Sequence, residues 1–145
     1  MTAKLVVGVD GHSSGERALD FAAKLADKIG ACELLVVYII EWSPYSFQTP
    51  EENEKRHNRR EEEIAVAKER IVEPAVAQLI KDGLSARGIV RHGNVADALN
   101  DVAATEKAEQ IIVARSSERT LSQRIFGSST ANLVMEASVP VTVVG

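Results

Sequence analysis

The sequence of this 145-residue chain predicts an α/β fold. The expected form is a five-stranded parallel sheet in the order 3-2-1-4-5 with helices on both faces, a Rossmann-like sandwich. Three observations lead there. Short apolar runs alternate with longer helix-like segments, giving β-α-β-α-β-α-β-α-β. Runs such as "ELLVVYII" are too continuously apolar for a sheet with one wet face, so they suit strands covered on both sides. Parallel neighbours joined by right-handed crossovers then leave few topologies, the doubly wound order among them.

Lys4 to Val9 is short and valine-rich and reads as the first strand. Ser13 and Glu16 form the S-x-x-E pattern of a capping box. From there Ala18, Leu19, Ala22, Ala23, Leu25, Ala26 and Ile29 recur at helical spacing until Gly30 stops the helix. "ELLVVYII" is the second strand, followed by the connector "EWSPYSFQTP". Glu51 to Glu63 holds ten charged residues of thirteen with alternating signs, which predicts a solvated helix face. Ile64, Ala67, Ile71, Ala75 and Leu79 mark the buried face of that helix, and Pro74 should kink or split it before Asp82-Gly83 ends it. "SARGIVRHG" is a third strand. Asn94 caps a helix carrying Val95, Ala98, Leu99 and Val102. "AEQIIVA" is a fourth strand, Ser128 to Ala137 a last helix, and "VPVTVVG" a fifth strand.

The bulk numbers set bounds. The length suits one domain, residues 1–145, with no internal repeat or linker. The net charge of −4 argues against general nucleic-acid binding, which requires a basic surface. Cys32 is the one cysteine, so no intramolecular disulfide forms. No run approaches the ~18 apolar residues of a membrane span, and no signal peptide is visible, so the expected location is cytoplasmic without membrane contact.

In a doubly wound sheet, ligands bind beyond the carboxyl ends of the strands. Asp10 ends the first strand, where an acid can accept hydrogen bonds from a ligand or serve as a turn residue before glycine. Gly127-Ser128-Ser129-Thr130 opens the last helix. Its first N–H groups lack internal partners and its dipole is positive there, which suits a phosphate, although Ser128 or Ser129 can equally be the N-cap. Arg115, Arg119 and Arg124 precede it as phosphate partners or surface charges. His12, His57 and His92 fall on different elements without metal-ligand spacing, so no metal site is expected. Trp42, Tyr45 and Phe47 either edge a pocket or pack on the charged helix. There is no G-x-S-x-G, no G-x-x-x-x-G-K-[ST] and no G-x-G-x-x-G, so no catalytic residue is assigned. The topology also fits a phosphoacceptor receiver, but the acidic pair after strand one is missing.

"LVVGVDGHSSGERALDFAAKLA" resembles the opening strand, aspartate and first helix of the universal stress protein family, and "VPVTVVG" resembles its closing strand. The family's ATP-binding branch carries G-x-x-G, nine residues, then G-[ST]. Here Ala114 and Ser117 stand at the first two glycines, residues 118 to 126 form the spacer, and Gly127-Ser128 is intact. The resemblance implies an adenine nucleotide alpha hydrolase-like fold over nearly the whole chain. It implies that Asp10 with Val9 meets the adenine, Ile39 packs beside it, and Val113 and Ala114 line base and ribose. Ser117, Gly127, Ser128, Ser129 and Thr130 would surround the phosphates of ATP or AMP, with Mg alongside. Glycine serves such loops by allowing positive φ or close backbone approach, so the alanine and serine matter. At negative φ they only narrow the site. At positive φ each costs about 1–2 kcal/mol. The favoured reading is a stress-response regulator that binds an adenine nucleotide weakly or in altered form. The alternative is a dimeric adaptor that works through a regulatory protein partner without a ligand. Enzymatic action extends at most to slow ATP hydrolysis. The final strand, Val139 to Val144, is almost wholly apolar and uncharged at a sheet edge, which predicts a homodimer through that strand. Thr142→Pro is expected to remove a donor from the dimer ladder.

Overall fold

The computed structural model of the protein describes residues 2–41, 50–115 and 128–145; of residues 50–57 and 128 it describes the backbone alone. Strands β1 (Ala3–Val9), β2 (Cys32–Glu41), β3 (Ser85–Gly93), β4 (Gln110–Ala114) and β5 (Val141–Val144) form one sheet in the order β3-β2-β1-β4-β5, every neighbouring pair parallel. This is the predicted topology. Alternation along the strands divides the core in two. Val6, Leu35, Val37, Ile39, Ile111 and Val113 face α4 (Val95–Glu106) and α5 (Ser128–Glu136). Leu5, Val7, Leu34, Val36 and Ile112 face α1 (Ser13–Ile29) and the helical run from residue 50 to 81, with Cys32 buried on the same side. Two layers of helix on a parallel sheet explain why β1, β2 and β4 are apolar on both faces.

The run predicted to break at Pro74 is α2 (Pro50–Ala67), a π-helical turn (Lys68–Val72) and α3 (Glu73–Lys81). The π turn lies immediately before the proline. Pro74 has no N–H, and its ring crowds the carbonyl of Arg70 four residues back. One extra residue in the preceding turn, with the Glu73 N–H bonded to the Lys68 carbonyl, relieves the crowding without ending the helix. It also turns Val72 fully inward beside the expected Ile71.

Helix ends follow local chemistry. Gly30 closes α1 at φ 89°, and the Asn94 side chain accepts from the Asp97 N–H at 3.1 Å to open α4. The expected capping box at Ser13 and Glu16 is not what anchors α1. His12 is the N-cap without a side-chain cap bond, and the acceptor comes from Asp10. A side chain at the end of β1 competes successfully because β1 delivers it rigidly to the helix start.

The last strand starts at Val141, two residues later than expected. Pro140 and Val144 turn their carbonyls to β4, accepting from Ile111 and Arg115. Backbone groups alternate along a strand, so Thr142 also faces β4, and the outward groups belong to Val141 and Val143. Thr142→Pro would therefore damage the β4 ladder instead of a dimer ladder. No helix among the described residues is long and apolar enough to cross a membrane.

Candidate functional site

Asp10 follows the last residue of β1 and gathers the start of α1. Its Oδ1 accepts the His12 N–H at 2.9 Å and the Gly15 N–H at 3.2 Å, and its Oδ2 accepts the Ser14 hydroxyl. Ser14 is buried, so its hydroxyl needs this partner. Gly15 allows the approach: a Cβ there would lie 3.2 Å from both Asp10 Oδ1 and Val9 Cβ. Burial pushes the Asp10 pKa up. The bonds from Ser14, His12 and Gly15, helped by the His12 charge, outweigh it and hold the carboxyl below its ordinary value.

Around this turn opens a cleft of about 450 Å³ at the carboxyl ends of β1, β2 and β4. It lies where the chain reverses direction across the sheet, between β1 and β4, the position at which doubly wound folds accept ligands. Its floor is aliphatic: Val37 and Ile39 from β2, Val113 from β4, Val95 and Leu99 from α4. Its polar margin is Asp10, His12 and Ser14 on one side, Glu41 at the end of β2, and Ser129 and Thr130 in the first turn of α5. The amino end of α5 brings N–H groups without intrahelical partners and a partial positive charge to the rim opposite β2.

Of the residues singled out in the sequence, the cleft gathers Val9, Asp10, His12, Ile39, Val113, Ala114, Ser129 and Thr130. Ser128 begins α5, and its side chain is not described. Ser117 and Gly127 lie outside the described residues, as do Arg119, Arg124, Trp42, Tyr45 and Phe47. Arg115 is exposed just past β4, its carbonyl accepting from Arg17. His92 sits away from the cleft, 3.1 Å from Glu63. Among the described residues no group of three His, Cys, Asp or Glu side chains is placed to hold a metal ion.

Ala114 answers half of the question its substitution raises. It is the last residue of β4, paired with Val144, and among described non-glycine residues only Lys107 has positive φ. Its methyl packs against the α1-side core. Alanine at this place is therefore unstrained, and the core absorbs its added carbon.

Several lining residues were given no site role from the sequence, Ser14, Gly15, Glu41 and Leu99 among them. Glu41 was legible in principle. Alternation puts Val37, Ile39 and Glu41 on one strand face, so identifying Ile39 implies the other two. Leu99 was legible only as core, because nothing local says that its helix roofs a cleft.

The Universal stress protein family model matches residues 1–145. The chain belongs to that family. This universal stress protein is also similar in fold to solved structures. The hypothetical protein MJ0577 is 20% identical with a TM-score of 0.80, over 99% of this chain and 96% of that one. UspA from Lactobacillus plantarum is 19% identical with a TM-score of 0.80, over 99% and 97%. A universal stress protein from Archaeoglobus fulgidus in complex with dAMP is 20% identical with a TM-score of 0.63, over 100% and 98%, and another family structure holds cAMP. No curated protein matches the chain.

Proposed function

We propose that this universal stress protein binds an adenine nucleotide, ATP or AMP, in the cleft at the ends of β1, β2 and β4, and acts as a stress-response regulator. The observation that carries the reading is the cleft itself. It has an aliphatic floor at one end, suited to an apolar ring face, and a helix amino terminus with two hydroxyl residues, Ser129 and Thr130, at the other. The base lies over Ile39 and Val113 beside Val9 and Asp10, and the phosphates lie at Gly127 to Thr130, with Ser117 as a further contact. Relatives of this fold crystallised with dAMP and cAMP add support by analogy.

Isothermal titration calorimetry with ATP and AMP tests the reading. Ser128→Ala and Thr130→Ala should each weaken binding by about 0.5–3 kcal/mol, as for a lost polar contact. Ala114→Gly alone should leave affinity unchanged, because its methyl packs in the core, whereas Ser117→Gly should tighten binding if its side chain crowds the phosphates. Absence of binding at millimolar ATP overturns the proposal and favours the adaptor reading.

The same reading includes a homodimer formed through β5. Val141 and Val143 present their backbone groups at the edge of the sheet, and a second copy related by a two-fold axis would pair with them antiparallel.

A further inference from the structure

Two carboxylates border the cleft, Asp10 and Glu41. They are in different states. Asp10 is engaged by two backbone N–H groups and the Ser14 hydroxyl, which takes about three of a carboxylate's roughly four acceptor positions. Glu41 is exposed, and its carboxylate makes no hydrogen bond or ion pair among the described residues. It ends β2 on the same strand face as Val37 and Ile39, the row that floors the cleft. The cationic neighbour nearest in register is Arg91, paired with Ile39 on β3 and exposed.

The electrostatics orient a nucleotide across this cleft. Its phosphates are drawn to the amino end of α5 and repelled from Asp10 and Glu41. The base therefore lies toward β2, with its edge at the end of the aliphatic row. A carboxylate there accepts hydrogen bonds and donates none, so it matches an exocyclic amino group and opposes a carbonyl. We infer that Glu41 accepts from the 6-amino group of a bound purine and is the residue that selects adenine, while Asp10 holds the β1–α1 turn. This rests on the nucleotide reading given above and adds the determinant of base choice.

The test compares ATP with purine riboside 5′-triphosphate, which carries hydrogen in place of the 6-amino group, by calorimetry on the full chain. The wild type should prefer ATP by about tenfold or more, the usual scale for a charge-assisted bond at an exposed rim. Glu41→Ala should bring the two ligands to equal affinity. Glu41→Gln, whose carbonyl still accepts, should keep part of the preference. Glu41 is exposed, so neither change disturbs the core. If the wild type binds ATP and Glu41→Ala keeps the full preference, Glu41 is not the selector although the nucleotide reading stands. If Asp10→Asn removes the preference instead, the roles are reversed and the inference fails. If the wild type binds neither ligand, the nucleotide reading falls and this inference with it.

Discussion

Asp10 illustrates how one side chain is committed to organising its own turn. Its carboxylate collects the His12 and Gly15 N–H groups and the buried Ser14 hydroxyl, replacing the N-cap side chain that α1 lacks. Asp10→Asn keeps a single acceptor oxygen and should cost about 1 kcal/mol of stability at neutral pH, the usual size of a lost cap. The pH dependence has a definite sign. The folded pKa is depressed, so the contribution is present above the unfolded value and is lost as pH falls through the folded one. Urea denaturation should therefore show the wild-type advantage over Asp10→Asn intact at pH 6 and vanishing as the solution is acidified below about 4. An advantage that persists at pH 2 would mean that the charge is not what organises the turn.

Elements are matched to one another at specific contacts. Val72, turned inward by the π turn, lies over Gly88 of β3 so closely that a Cβ at Gly88 would stand 2.0 Å from Val72 Cγ1. Gly88→Ala should destabilise the protein by about 1–3 kcal/mol or more through overpacking. Val72→Ala opens a cavity by itself but should offset much of that loss in the double variant. Thermal melts of the four proteins form a double-mutant cycle, and simple additivity would show that the contact does not set the position of the π turn. At the amino ends of the strands a second device operates. Arg87 of β3 bonds Glu33 of β2 at 3.1 Å and also Glu106 at the end of α4, and Glu106 meets Lys4 of β1 at 3.3 Å. This network joins three strands to one helix where the aliphatic core runs out. The Arg87 and Lys4 hydrogen bonds hold the Glu106 carboxyl below its ordinary value, so acidification weakens this junction in the same direction as the Asp10 turn.

The whole molecule has two sheet edges, β3 and β5. β3 carries Arg87 and Arg91 along its length, the kind of charge that discourages edge pairing, while β5 is Val-Thr-Val-Val. Assembly is therefore expected at β5. Because Val143 presents its N–H outward, Val143→Pro removes one donor from that edge and leaves the bonds to β4 in place. Light scattering at micromolar concentration should give twice 15.7 kDa for the wild type and a lower mass for Val143→Pro. A wild-type mass of 15.7 kDa, or a dimer indifferent to the proline, would remove β5 as the interface.

The sequence by itself determined the order of elements and a parallel sheet covered on both faces, and it pointed to the carboxyl ends of the strands as the place to look for a site. These follow from local periodicity, and periodicity of 2 or 3.6 is written in the chain. Gly30 and Asn94 are legible for the same reason, since a helix end is satisfied within a few residues. What the tertiary structure decided depends on groups distant in sequence or on direction in space. That Asp10 rather than Ser13 anchors α1 follows from where β1 ends. That Ala114 needs no positive φ follows from its pairing with Val144. The outward faces of Val141 and Val143 depend on which of their neighbours point to β4. Proline signalled a break at residue 74, but the π turn that absorbs it places Val72 against Gly88, two residues sixteen apart that meet only once β3 packs under the helix.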